Sequence, residues 1–411
     1  MQLWFALVLA LQFAAPTLVD AANWRPTLTP RPNMPPLFMA VDKSRQRAFL
    51  VRSSGNATRL DKFKKLICTT GQRDGDKQVE GDLKTPEGVY FVTGKITSGL
   101  DFLLYGNTAF PLNYPNPVDR IRSKTGYGIW IHGRGEPITP RQTKGCVSLN
   151  NADVDHLDDH VARHGTPVII GQDIAWGNAT RAGAPQGVVQ GTWAWSATRE
   201  RRDERFFGLY DSKLYAQSSG KSFERFQTAI RAEFTARPWI DVRMGKIQIL
   251  EGPGYVVSFF PEQTVAHDSI QEGWRRLYWM RQGDAWKIVG EEWAPQRLKT
   301  TPPYVVTMEK EIQTMLRRGE DAWSRRSLGD VVKMYAKDAT RGLDQGDLAI
   351  ARRLRAELET GVDNPFRGEP RIALTDQGVV VLLSQAGSGR RFVFRPAKFD
   401  TWAITVEDTL H

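Results

Sequence analysis

Between Leu37 and Gly171 short apolar runs (FMAVD, RAFLV, KLICTT, GVYFV, GIWIHG and PVII) alternate with Gly, Asp, Asn and Pro. Runs this short, bounded by turn formers, predict strands rather than helices. Asn151 to His164 breaks the pattern and reads as a helix, with Asp153 and Asp155 in its first turn, where negative charge meets the positive end of the helix dipole. A Gly/Ala/Pro linker at 177–191 follows. Beyond it, a helical start followed by a β-rich end occurs twice. Ala194-Trp195-Ser196 recurs as Ala322-Trp323-Ser324, and the Asp-x-Trp-x-Ile close at Asp284, Trp286 and Ile288 recurs at Asp400, Trp402 and Ile404. Met308, Ile312, Met315 and Leu316 fall on one helical face before the second Trp. The pattern therefore predicts a mainly β unit at 37–172 and two consecutive α+β units at 192–295 and 304–411.

The first residues carry a different signal. Leu3 to Ala15 is apolar and ends in a small-residue stretch at Ala21-Ala22, the form of a secretory signal peptide over 1–22, although no Lys or Arg precedes the run. An uncleaved anchor is the weaker alternative. Residues 23–36 hold Pro26, Pro30, Pro32, Pro35 and Pro36 and read as an extended lead-in. A length of 411 residues exceeds one ordinary core, which agrees with several units. With 56 Lys and Arg against 46 Asp and Glu the net charge is +10, which suits an anionic partner: nucleic acid, a lipid surface or an acidic wall polymer. Nucleic acid has only that charge in its favour and is not expected as a partner.

Two cysteines, Cys68 and Cys146, exclude a disulfide-stapled scaffold or a cysteine zinc ribbon. No P-loop or dinucleotide fingerprint is present, so no cofactor is expected. His156, His160 and His164 recur every fourth residue beside Asp155 and Asp159, a spacing that would suit zinc, but a solvated helix face is the simpler reading and no metal is expected. Cys68, in KLIC, reads as a buried, inert thiol, and a bridge to Cys146 is not expected.

The chemistry concentrates between His132 and Cys146. The strand Gly128 to Ile131 delivers His132-Gly133, and Cys146, fourteen residues after His132, lies in Thr143-Lys144-Gly145-Cys146-Val147, just before the helix candidate. A thiol is activated by a nearby His, by cations or by a helix N-terminus. Here His132, Lys144 or Arg141, and the helix starting near Asn150 supply those elements. Gly145 allows a tight turn that aims backbone N–H groups at a developing oxyanion.

This pattern resembles the signature of YkuD-type L,D-transpeptidase catalytic domains: HG, a spacer, then (S/T)xGC(I/V). Gly81 to Tyr90 (GDLKTPEGVY) is similar to their GxxxTPxGxY segment, and Thr69-Thr70-Gly71 is similar to the exit of their first strand. The resemblance covers roughly Leu37 to Gly171. It implies a β-sandwich or barrel and a periplasmic cysteine enzyme that acts on peptidoglycan stem peptides through an acyl-enzyme. By position, Cys146 is the nucleophile, His132 the general base, and Gly133 the residue whose carbonyl orients that base, with the N–H groups of Gly145 and Cys146 as oxyanion donors. The sequence departs from the pattern at Lys144, where many members have His, and at Ser148, where many have Arg or Asn. Arg134, Arg141, Lys144 and Ser148 are then the substrate-binding candidates. The tails resemble NTF2-like domains, as in cell-shape L,D-carboxypeptidases, and could take a glycan or peptide ligand. Three functions follow: an L,D-transpeptidase, an L,D-carboxypeptidase with water as acceptor, or a wall-binding scaffold without activity.

Overall fold

The computed structural model describes residues 24–54, 59–157, 160–161, 164–178, 185–298, 302–385, 388–397 and 401–410. The run at 3–15 and the rest of the expected signal peptide lie outside them. No helix among the described residues is long and apolar enough to cross a membrane.

The N-terminal third is mainly β. Its eight-stranded sheet runs, in spatial order, Gly88–Phe91, Pro167–Gly171, Leu37–Asp42, Arg47–Arg52, Asp61–Thr69, Val147–Leu149, Trp130–His132 and Ala109–Pro111. Most neighbours are antiparallel, but Leu37–Asp42 pairs in parallel with Pro167–Gly171, and Trp130–His132 with Val147–Leu149. Phe38, Met39, Ala40 and Val41 are all fully buried, so both faces of the sheet are covered. Met39, Val41, Leu50, Leu66, Ile131 and Leu149 form the inner core. Phe38, Ala40, Val51 and Phe91 face the other way, against Val257 and Phe259 of the following unit.

That second face is closed by a long antiparallel sheet made of Asp241–Met244, Gln248–Gly252, Tyr255–Ala266, Ser269–Gln282 and Ala285–Pro295. Phe91 meets Phe259 edge-on with ring centroids 4.9 Å apart, and the Arg276 guanidinium lies 4.2 Å over the Phe91 ring. The Tyr255 hydroxyl accepts the Val89 N–H at 2.9 Å and lies 3.2 Å from the Asn116 amide nitrogen. Asn113 donates to the Tyr278 hydroxyl at 3.0 Å and to Glu292 at 2.8 Å.

The Pro-rich segment is a packed strap rather than a lead-in. Thr27–Leu28 pairs in parallel with Ala175–Trp176, and Trp24, Leu28 and Met34 are buried. Asn33 ties the strap to the next unit, its carbonyl accepting the Ile249 N–H at 2.7 Å and its amide donating to the Ile247 carbonyl at 3.0 Å. Two other expectations change. The helix predicted over 151–164 is Asn151–Leu157, burying only Val154 and Leu157; residues 158–159 and 162–163 lie outside the described residues. The linker expected at 177–191 ends earlier, since the helix Gln186–Glu200 already begins inside it.

Helices Gln186–Glu200, Ser212–Ser219 and Phe223–Ala236 precede the five-stranded sheet. The last unit has helices Tyr304–Ser324, Leu328–Val332 and Asp347–Thr360 and a six-stranded sheet. The repeated tryptophans are mostly core. Trp195, fully buried, donates to the Tyr210 hydroxyl at 2.9 Å, and Trp402 donates to Glu311 at 2.9 Å. Tyr255→Phe removes the acceptor of the Val89 N–H and the partner of Asn116 inside a dry interface. A loss of about 1–3 kcal/mol is expected, measured by denaturant unfolding followed through near-UV circular dichroism.

Candidate active site

The parallel pairing of Trp130–His132 with Val147–Leu149 sets Ile131 opposite Val147 and His132 opposite Ser148. This brings the ends of two short buried strands, and with them the His and the Cys loop, to one edge of the core. His132 Nδ1 lies 2.6 Å from the Gly133 carbonyl. A carbonyl only accepts, so Nδ1 carries the hydrogen and Nε2 is left as the basic nitrogen. A Cβ on Gly133 would come 2.1 Å from the Asn151 amide oxygen, so only Gly permits this approach. The Tyr105 ring packs against His132 with centroids 5.1 Å apart, and against Trp130 at 5.5 Å.

The loop before Cys146 is held by Thr143. Its hydroxyl donates to the Cys146 carbonyl at 2.7 Å and accepts the Gly145 N–H at 3.1 Å. Gly145 has φ +139°, and a Cβ there would lie 2.9 Å from the Lys84 carbonyl, so the turn requires Gly. The Lys84-Thr85-Pro86 segment is itself fixed. The Thr85 hydroxyl accepts the Gly71 N–H at 2.8 Å, and the Lys43 ammonium donates to the Gly75 and Thr85 carbonyls and to Glu87 at 2.6, 2.9 and 2.8 Å.

The electrostatics differ from the expected activated thiol. Burial pushes the Cys146 thiol up to about 11, against the lowering effect of the Trp130 N–H and of Lys77. Burial likewise pulls His132 down to about 4, the Gly133 carbonyl acting the other way and Arg134 adding to the fall. Between those values both groups are neutral. Among the described residues the thiol's hydrogen-bond partner is the Gly128 carbonyl, at 3.4 Å, not His132. Cys68 is a second free thiol, buried and pushed up to about 12, again by burial.

Several candidate residues sit elsewhere in the chemistry. Ser148 is fully buried and its hydroxyl donates to the Gly133 carbonyl at 3.4 Å, so it holds the residue that orients His132 and cannot reach a substrate. The Gly145 N–H is engaged by Thr143, which leaves the Cys146 N–H as the oxyanion candidate of the two. Arg141 is ion-paired with Asp74, and Lys144 is exposed. The cation that acts on the thiol is neither of these but Lys77, buried and bonded to Asp82 at 2.9 Å. Arg134 pairs with Glu136 at 2.7 Å, while its buried Nε has no hydrogen-bond partner among the described residues and keeps a donor in reserve. His160 packs edge-on against Phe63, and the His164 carbonyl accepts from Arg276 at 2.8 Å. Tyr105 and Lys77 lie outside the motifs and carry no local signal of their role.

Residues 37–170 match the family model of the L,D-transpeptidase catalytic domain, YkuD. YafK of Escherichia coli (strain K12), named as a candidate L,D-transpeptidase, is 29% identical over 123 residues, which is 30% of this chain and 46% of that protein. The chain thus spans less than half the length of that relative. Among solved structures, Bd1075 of Bdellovibrio bacteriovorus superposes with TM-score 0.50 at 24% identity, covering 69% of this chain and 100% of that one, a likeness of fold. The helical cell shape determining protein Pgp2 of Campylobacter jejuni superposes with TM-score 0.48 at 24% identity, covering 64% of this chain and 95% of that one.

A neutral thiol–imidazole pair fixes how reactivity follows pH. Iodoacetamide alkylation of Cys146, read by peptide mass so that Cys68 is scored separately, is expected to climb steadily up to about pH 10. A plateau already reached near about pH 6 would mean a resting thiolate–imidazolium pair instead.

Proposed function

We propose, from the premise that residues 37–170 are a YkuD-type L,D-transpeptidase catalytic domain, that the chain is a peptidoglycan L,D-transpeptidase with Cys146 as its nucleophile. The single observation that carries this reading is the contact of His132 Nδ1 with the Gly133 carbonyl. With Nδ1 committed to the Gly133 carbonyl, its Nε2 is the free base on the strand paired to the Cys loop.

The reaction then runs by general-base catalysis. As Cys146 Sγ attacks the carbonyl of the third stem residue, His132 Nε2 takes the thiol proton, so charge develops only in the transition state. The oxyanion is held by the Cys146 N–H. On collapse the imidazolium returns its proton to the leaving amine, D-alanine departs, and a thioester remains. An acceptor amine attacks the thioester while His132 takes its proton; Sγ leaves and recovers a proton from the imidazolium. The hydrogen bond from Ser148 to the Gly133 carbonyl and the packing of Tyr105 hold the imidazole at this angle throughout. The unpartnered Arg134 Nε is the reading's choice for a substrate carboxylate. We read 192–295 and 304–411 as NTF2-like units, and the apolar run at 3–15 as the export signal of a periplasmic protein.

Purified full-length protein incubated with diaminopimelate-containing tetrapeptide muropeptides tests the reading. Crosslinked dimers are expected, absent in Cys146→Ala and reduced about 10²–10⁴-fold in His132→Ala. Tripeptides without dimers would make the enzyme an L,D-carboxypeptidase, the cell-shape type of activity, and no Cys146-dependent product would leave a wall-binding scaffold.

A further inference from the structure

A cleft of about 620 Å³ separates the two tail units, within the range of small-ligand sites. One wall is a single face of the helix Gln186–Glu200, presenting Trp193, Ala197 and Glu200, followed by Arg201 and Arg202. The other wall is the outer face of the last sheet. In that sheet, residues turned to the core are large and buried: Phe392, Phe394, Trp402 and Ile404. Those turned to the cleft are the small Ala336, Ala397, Ala403 and Thr405, with the charged Asp338 and Arg395 among them. Two faces that meet only to pack would fill the gap with bulky apolar side chains. Here the space is left open.

The polar groups in the cleft are chiefly basic. Arg202 donates to the Arg237 carbonyl at 3.3 Å and Arg395 to the Gln377 carbonyl at 2.8 Å, so both are steadied by neutral acceptors. Burial, with like charge from Arg395 adding to it, weakens the hold of Arg202 on its proton. The lining sets Arg201, Arg202 and Arg395 against Glu200, which also accepts the Val242 N–H at 3.2 Å, and Asp338, an excess of one positive charge. At the cleft wall Trp193 is 45% exposed, an indole face available for stacking.

We propose that this cleft binds a carboxylate-bearing sugar, with Trp193 as its stacking platform and Arg202 and Arg395 as the ligands of its carboxylate. Guanidinium forks suit a carboxylate, and an aromatic face suits the C–H face of a pyranose. Resting on the peptidoglycan reading, the proposal assigns peptide-free N-acetylmuramic acid of the glycan, whose lactyl carboxylate is free only where no stem peptide is attached, to a site apart from Cys146.

The probe is the peptide-free disaccharide of N-acetylglucosamine and N-acetylmuramic acid. It has no stem peptide and therefore no bond for Cys146 to attack. Titrated into the full chain at low salt and followed by tryptophan fluorescence and calorimetry, it should bind, and binding should weaken as salt rises. Arg202→Gln with Arg395→Gln should weaken it at least tenfold, and Trp193→Ala should reduce both affinity and the fluorescence change. Ala403→Leu, which fills the cleft without touching charge, should also weaken it. Thermal unfolding and Cys146-dependent turnover of free tetrapeptide should stay at wild-type levels in all three variants. No binding by the wild type, binding unchanged in the variants, or equal binding of neutral chitobiose would each overturn the proposal. Loss of Cys146-dependent product with disaccharide binding intact would overturn the enzymatic reading alone.

Discussion

Burial of the catalytic sheet on both faces is the constraint from which the rest of the molecule follows. Phe38 to Val41 are buried without a break, so the sheet cannot end at its own inner core. Its second face, Phe38, Ala40, Val51 and Phe91, needs an apolar cover, and the sheet carrying Val257 and Phe259 provides it. The first tail is thus a structural part of the catalytic unit. The Val89–Tyr255 hydrogen bond across the seam is buried and has no water to replace it, while those from Asn113 to Tyr278 and Glu292 lie part-buried at its edge. Gly88–Phe91 takes part in this seam, and it belongs to the same loop whose Thr85 and Lys84 press against Gly71 and Gly145. Tail, seam and nucleophile loop are one continuous packing arrangement.

The same dryness sets the chemistry. Desolvation disfavours charge on either member of the His132–Cys146 pair and moves the two ionisations apart, one up and one down. The resting site is therefore electrically quiet. Buried hydrogen bonds do the work of alignment: Nδ1 to the Gly133 carbonyl, Ser148 to the same carbonyl, and Thr143 on both sides of Gly145.

How much of this could be read from the chain alone depended on the range of each interaction. The strands between 37 and 171, the His-Gly and Thr-x-Gly-Cys motifs and the burial of Cys68 were legible, because turn chemistry and apolar runs are local. The Gly133 carbonyl contact was reached through the family resemblance. Partners distant in sequence left no local signal: Arg141, a substrate-binding candidate, carries an ion pair with Asp74, and Ser148, another, is turned to Gly133 by the buried strand pairing. Lys77 and Tyr105 gave no signal, since nothing near them in sequence marks a role. The strap at 23–36 read as an open lead-in because its partners lie near Ile249 and Ala175.

A thiol held up at about 11 also has a chemical lifetime different from that of an ordinary surface cysteine. Near neutral pH its thiolate fraction falls well below the few per cent of an unperturbed side chain. Peroxides and disulfides react with the thiolate, so damage by stray oxidants slows in proportion. On the proposed reading of an exported enzyme, no glutathione pool would restore a sulfenic acid or a mixed disulfide. The desolvation that disfavours the Cys146 thiolate would then also be its shelter, lifted when a substrate carbonyl lies against the sulfur and His132 takes the proton.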